Sequence, residues 1–303
     1  MSAVIESALN GVQFGLMLFL LAAGLTLVFG IMDMINLAHG SLYMFGAYLT
    51  AALVEPTGSF LLAMLVALVA TAAIGMLLEM TVLRTLYQRD HLSQVLATFA
   101  LILIGNEVVR MIWGPQPRRL ALPELFSGPV DLAGIQYPSY RLLVIGVGLA
   151  VALLLYLVVA RTRVGMWVRA GASNREMATV MGVDIKRLFT LVFGLGALLC
   201  AVAGALLGPL LSVQVGMGES ILILAFVVVV IGGIGSIRGA LAGSLMVGMV
   251  DTVGRTLVPG ALGTVFSPAV ASNLGPTLAS ILIYVLMAAV LFWKPQGLFP
   301  ARG

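Results

Sequence analysis

Most of the polar residues that could do chemistry in this chain fall in a few short stretches. The first is IMDMINLAHGSLYMFGAYL, residues 31–49, where Asp33, Asn36, His39, Gly40, Ser41 and Tyr43 crowd together between two apolar runs. Ser41 with His39 is the one pairing that resembles a nucleophile and its base. Residues two apart point to different faces of a helix, so nucleophilic catalysis is not read here. Polar groups at membrane depth are costly and face a cavity or a partner. Gly40 and Ser41 precede a new apolar run, as at a helix restart. A half-helix N-terminus offers free N–H groups that suit an anionic or polar ligand. The competing reading is a cytoplasmic turn with an incidental His and Asn.

A second stretch, VVVVIGGIGSIRGALAGS (227–244), again joins an apolar run to a Gly-rich break and a new helix. It stands in the second half about where the first stands in the first half, the pattern of an internal pseudo-repeat with interrupted helices. Gly233 and Gly235 do not make a dinucleotide fingerprint, because the third glycine is misplaced and the flanks are membrane spans. A third stretch, RTRVGMWVRAGASNREMATVMGVDIKR (161–187), is a polar island in which Glu176, Ala178 and Gly182 take the spacing E-x-A-x-x-x-G. A short helix there is presented to water beside the membrane. Ser173 or Asn174 can cap it, Glu176 stands in its first turn, Ala178 is a small residue for docking, and Gly182 ends it.

The charged pairs read as structural. Glu107 and Arg110 are at i, i+3, and Asp251 and Arg255 at i, i+4, where each pair neutralises itself on a helix face. Glu79 lies within two turns of Arg84. No G-x-x-x-x-G-K-[ST] occurs, so the chain has no P-loop of its own. Two histidines and the single Cys200 leave no metal cluster and no internal disulfide.

These residues sit in a chain of 303 residues that is 61% hydrophobic and 9% charged. A soluble domain of that size carries roughly a quarter charged residues. The class is therefore an integral membrane protein, and apolar runs near the length of a bilayer-crossing helix argue against a barrel. The fold expected is all-α: one polytopic bundle over residues 1–303 with about eight to nine helices. Candidate spans are 8–30, 37–54, 60–83, 92–113, 139–160, 188–211, 219–236, 239–258 and 277–293. Some are short and read as tilted or re-entrant pieces. The N-terminus lacks the basic start of a cleavable signal, so residues 8–30 read as a retained helix.

The net charge of +4 is distributed loop by loop and is not a nucleic-acid signal. Residues 161–187 are the strongest cytoplasmic marker, and Arg84, Arg89, Arg238 and Lys294 fall on the same side. Residues 114–138 fall outside as a structured loop. Gly196, Cys200, Gly204 and Gly208 line one helix face, and Gly235, Gly239 and Gly243 another, as close helix packing in lipid requires.

With these residues in place, the chain resembles the permease subunits of bacterial ABC importers for branched-chain amino acids, and among them the LivH-like permeases. The resemblance runs nearly end to end. It is carried by IMDMINLAHGSLYMFGAYL, by RAGASNREMATVMGVDIKRLFTLVFGLGALLCAVAGALLGPL, by VVVVIGGIGSIRGALAGSLMVG and by the ending WKPQGLF. It implies a multi-pass protein of the bacterial inner membrane with no catalytic residues. It also implies a partner permease of a different chain, two cytoplasmic ATPase subunits that bind the ATP, and a periplasmic substrate-binding protein. The family's EAA-x-x-x-G-like loop falls on Ser173, Glu176, Ala178 and Gly182, with Met177 departing from it. Asn36, His39, Gly40 and Ser41 fall on the expected translocation path. The alternatives are an ion-coupled secondary carrier, which would want mid-membrane carboxylates, and an ABC permease for urea or short amides.

Overall fold

The computed structural model describes residues 2–132, 134–264 and 266–299. In chain order its helices are α1 (Ser2–Met32), α2 (His39–Thr57), α3 (Phe60–Leu78), α4 (Arg84–Leu86), α5 (His91–Trp113), α6 (Ser139–Arg161), α7 (Arg163–Ser173), α8 (Arg175–Val180), α9 (Ile185–Leu207), α10 (Met217–Gly232), α11 (Ile237–Leu262) and α12 (Pro268–Trp293). A π-helical turn, Glu79–Leu83, joins α3 to α4 so that Phe60–Leu86 forms one span.

Among the described residues seven spans are long and apolar enough to cross a membrane: α1, α3 with α4, α5, α6, α9, α11 and α12. The expectation of eight to nine helices counted α2 and α10 as well, and these are the shorter pieces, of 19 and 16 residues. Burial separates the core from the rim. The most apolar window is 83% buried in α1 and 78% in α9, against 17% in α6 and 22% in α5 and α12. The last three present Leu103, Leu153 and Val285 outward, as lipid contact requires.

Small residues allow the central helices to touch. A Cβ built on Gly248 of α11 would lie 2.5 Å from the Gly11 carbonyl and the Gly15 nitrogen of α1. A Cβ on Gly204 of α9 would lie 2.2 Å from the Tyr43 carbonyl of α2. Neither contact can form with a larger residue, which is how small faces hold helices together without a hydrophobic effect between them.

The break between α1 and α2 is re-entrant. Met32 ends α1, Asp33 takes φ 51, and residues 34–38 climb back along the bundle. His39 then opens α2 beside Gly24 of α1 and Gly196 of α9. Gly24 lies eight residues before the end of α1 and Gly196 eleven after the start of α9. At 1.5 Å per residue, α2 therefore begins about 12–16 Å inside the bundle.

Three sequence readings are revised. The membrane-spanning bundle is all-α as expected, and the structured loop 114–138 holds a hairpin that the sequence did not announce, β1 (Pro129–Leu132) antiparallel to β2 (Ile135–Pro138). Arg118 also pairs with Val213, which ties this loop to the α9–α10 connection. The last span starts at Pro268 and not at 277, with Pro276 inside it. Gly275 meets the ring of Pro259 in α11, a helix–helix contact in the part of α12 that the expected bounds left out. Finally, α9 and α10 end at Leu207 and Gly232, short of the expected 211 and 236.

Candidate functional site

The four residues expected on the translocation path divide into two pairs. Asn36 is fully buried, and its side-chain oxygen accepts the Ala38 N–H at 3.1 Å, which shapes the turn into α2. His39 is also fully buried, wedged against Gly24 and Gly196 and edge-on to Phe193 at 6.2 Å between centroids. Both lie inside the subunit, away from the recess that Gly40 and Ser41 line. Gly40 and Ser41 face Gly218 and Glu219 at the start of α10, with Asn106 of α5 closing the side. The two helix starts touch through glycine: a Cβ on Gly218 would lie 2.1 Å from the Gly40 carbonyl.

Two residues of this recess escaped the sequence reading. Asn106 donates to Glu219 Oε1 at 2.6 Å. Glu219 stands at the edge of an apolar run, where it reads as a boundary residue. Asn106 is a single amide in the stretch ALILIGNEVV, where the neighbouring Glu107 drew the reading toward its pairing with Arg110. The signal available was that a lone amide and a lone carboxylate at membrane depth need a reason.

Glu79 is the fully buried carboxylate of the described residues. The π-turn that it opens sets it toward α9, where four hydrogen bonds surround it. Arg84 reaches it with Nη2 at 2.9 Å and Nε at 3.2 Å, Thr190 donates at 2.6 Å, and Tyr87 donates at 2.9 Å. A buried charge with its partner and all these donors is satisfied. Tyr87 stands edge-on to Phe189 at 5.2 Å, and the Arg175 guanidinium lies 5.6 Å above that same ring. A continuous chain of contacts thus runs from the first residue of α8 to the last third of the α3–α4 span.

The polar island folds as two helices where the sequence suggested one. Thr162 caps α7 by accepting the Gly165 N–H, Asn174 caps α8 through Met177 N–H, and Asp184 caps α9 through Arg187 N–H. Of the two proposed caps for α8, Asn174 serves, and Ser173 is the last residue of α7. Gly182 takes φ 86, and its N–H meets the Thr179 carbonyl at 2.9 Å while Val183 N–H meets that of Ala178 at 3.0 Å. That is a left-handed helix stop. Glu176 is exposed in the first turn. Ala178 is 3% exposed and faces its own subunit, so it does not offer itself for docking. Its small size lets α8 lie against the bundle. The exposed face of α8 carries Met177, Val180 and Met181, at 57%, 84% and 79%.

Comparison with known proteins places this geometry. Residues 7–291 match the family described as branched-chain amino acid transport system / permease component. The chain belongs to that family. It is similar to the high-affinity branched-chain amino acid transport system permease protein BraD of Pseudomonas aeruginosa, 29% identical over 97% of this chain and 95% of that one. It is also similar to the corresponding protein LivH of Escherichia coli K12, 31% identical over 82% and 85%. A probable LivH of Methanocaldococcus jannaschii is 28% identical over 93% and 88%. This permease is accordingly a multi-pass transport protein, and the family is one of transport components and not of enzymes.

Proposed function

We propose that this permease is the membrane-spanning subunit of an ABC importer of the inner membrane that carries branched-chain amino acids. Separate ATPase subunits bind the ATP at its basic end. A second permease chain pairs with it, and a periplasmic binding protein delivers the cargo. The family match over residues 7–291 carries this reading. The geometry supports it at two points. At the basic end, α8 is capped at both ends and presents an apolar strip with Glu176 beside it, a shape that fits a groove on a cytoplasmic partner. Deeper in the bundle, the starts of α2 and α10 meet at a recess with polar groups. An ion-coupled carrier fits less well, because the buried carboxylate of Glu79 is already taken up by Arg84, Thr190 and Tyr87.

The push would enter at α8 and pass to α9 and α3 through Arg175, Phe189, Tyr87 and Glu79. Gly40, Ser41, Asn106 and Glu219 are the residues assigned to the path. Asn36 and His39 hold the start of α2 in place and act on the path through it. The deciding experiment is co-purification in mild detergent followed by reconstitution in vesicles. ATPase subunits and a second permease should accompany the chain, and ATP should drive leucine uptake when loaded binding protein is supplied. Purification as a lone subunit with uptake driven by an ion gradient would replace this reading.

A further inference from the structure

The recess at the starts of α2 and α10 opens on a face that lipid contact does not explain. Its exposed neighbours are mixed: Leu103 and Ile104 of α5 and Ile223 of α10 are apolar, while the Glu107–Arg110 pair of α5 and Ser220 of α10 are polar. Glu219 is exposed among them. Its depth follows from its partner. Asn106 lies seven residues before the end of α5, which is about 10 Å inside that end. A carboxylate turned to hydrocarbon at that depth is expensive, and such groups face a water-filled cavity or a partner. Among the described residues the ion pairs are Arg84–Glu79, Arg110–Glu107, Arg187–Asp184 and Arg255–Asp251, so Glu219 has no cation of its own.

A second observation converges on the same place. Ser41 is 5% exposed and lines the same recess, and its buried hydroxyl has no hydrogen-bond partner. A buried hydroxyl left unmet costs about 1–3 kcal/mol unless something visits it. The rest of the lining is apolar, with Met44 and Ile102 beside the polar groups. One carboxylate and one unpaired hydroxyl thus stand next to an aliphatic wall, in a recess that is closed to water in this conformation and would have to widen to admit a ligand. An ammonium carries three donors and no acceptor, and a carboxylate and a hydroxyl oxygen can receive them.

We propose that this face borders the water-filled route, and that Glu219, held by Asn106 and aided by Ser41, takes the ammonium group of an aliphatic amino acid in transit. The proposal rests on the functional reading above and adds the residues and the cargo group they meet.

The test uses the reconstituted importer with its partner subunits and binding protein, and radiolabelled leucine as probe. Glu219→Gln should lower uptake by about tenfold, the usual weight of a charge-assisted hydrogen bond, and Glu219→Asp should regain much of it. Co-purification of the partners should be unchanged for both. In a Cys200→Ser background, Glu219→Cys should react with a membrane-impermeant thiol reagent, while Leu153→Cys on the lipid-facing side of α6 should not. Wild-type vesicles that import no leucine would overturn the functional reading and the ammonium role with it. Wild-type uptake matched by Glu219→Gln, or Glu219→Cys reacting only with a lipid-soluble maleimide, would overturn this proposal alone.

Discussion

Single residues in this permease carry structure and coupling in different proportions. Glu79 holds three partners from two helices, so Glu79→Ala leaves Arg84 and the hydroxyls of Thr190 and Tyr87 without their acceptor. The expected cost is about 2–3 kcal/mol, below the full value for a buried pair because Arg84 is 33% exposed. Thermal unfolding in mild detergent should register that loss, and Glu79→Gln should lose less because an acceptor remains. Equal stability in all three proteins would remove the cluster from the account of how the α3–α4 span meets α9. Glu176 is different, since it is exposed and makes no ion pair among the described residues. Glu176→Arg should leave insertion and folding intact, reverse the charge at the start of α8, and separate ATP hydrolysis from leucine uptake. Uptake at the wild-type rate in that variant would place the coupling contact elsewhere.

At the scale of elements, the contact between α9 and α2 sets where the re-entrant helix begins. Gly204→Leu pushes side-chain atoms into the Tyr43 backbone, and backbone cannot move aside as a side chain would. A loss of about 3 kcal/mol is expected, read as a lower unfolding temperature and reduced recovery of the assembled complex. Stability equal to wild type would mean that α2 is seated by its other neighbours. Much of this arrangement is legible in the sequence, because lipid forces apolar runs and glycine faces to declare themselves. The breaks at 33–38 and 233–236 announce themselves by polar residues and glycines within apolar sequence. The start of α12 does not, since a proline inside a helix and a proline at its first turn look alike until Pro259 is seen resting on Gly275. The direction of Ala178 was equally hidden. A six-residue helix has too few turns for a periodicity to say which side faces the bundle. Asn106 and Glu219 lie 113 residues apart, and only the folded chain brings them together.

Across the whole molecule, most of the described basic residues gather at one end and the hairpin closes the other. Tyr137 of the hairpin donates to Asn10 at 2.9 Å, which fixes the start of α1 to that end. At the basic end the segment after α12 folds back on the α10–α11 turn. Leu298 N–H meets the Ile231 carbonyl at 2.9 Å, and Phe299 N–H meets that of Gly232 at 3.0 Å. These are carbonyls that a helix C-terminus otherwise leaves unpaired. Deleting everything after Trp293 should cost about 1–2 kcal/mol and open the turn to trypsin at Arg238, which a time course of digestion would detect. An unchanged digestion pattern would show the turn to be held by its glycines alone. The same arrangement sets an order of events during synthesis. The α10–α11 turn leaves the ribosome on the order of ten seconds before the residues that complete it. Until then the newborn bundle has an unfinished edge at its basic face, on the side where its cytoplasmic partners would dock. In the importer proposed above, residues 298–299 would therefore complete the docking face last.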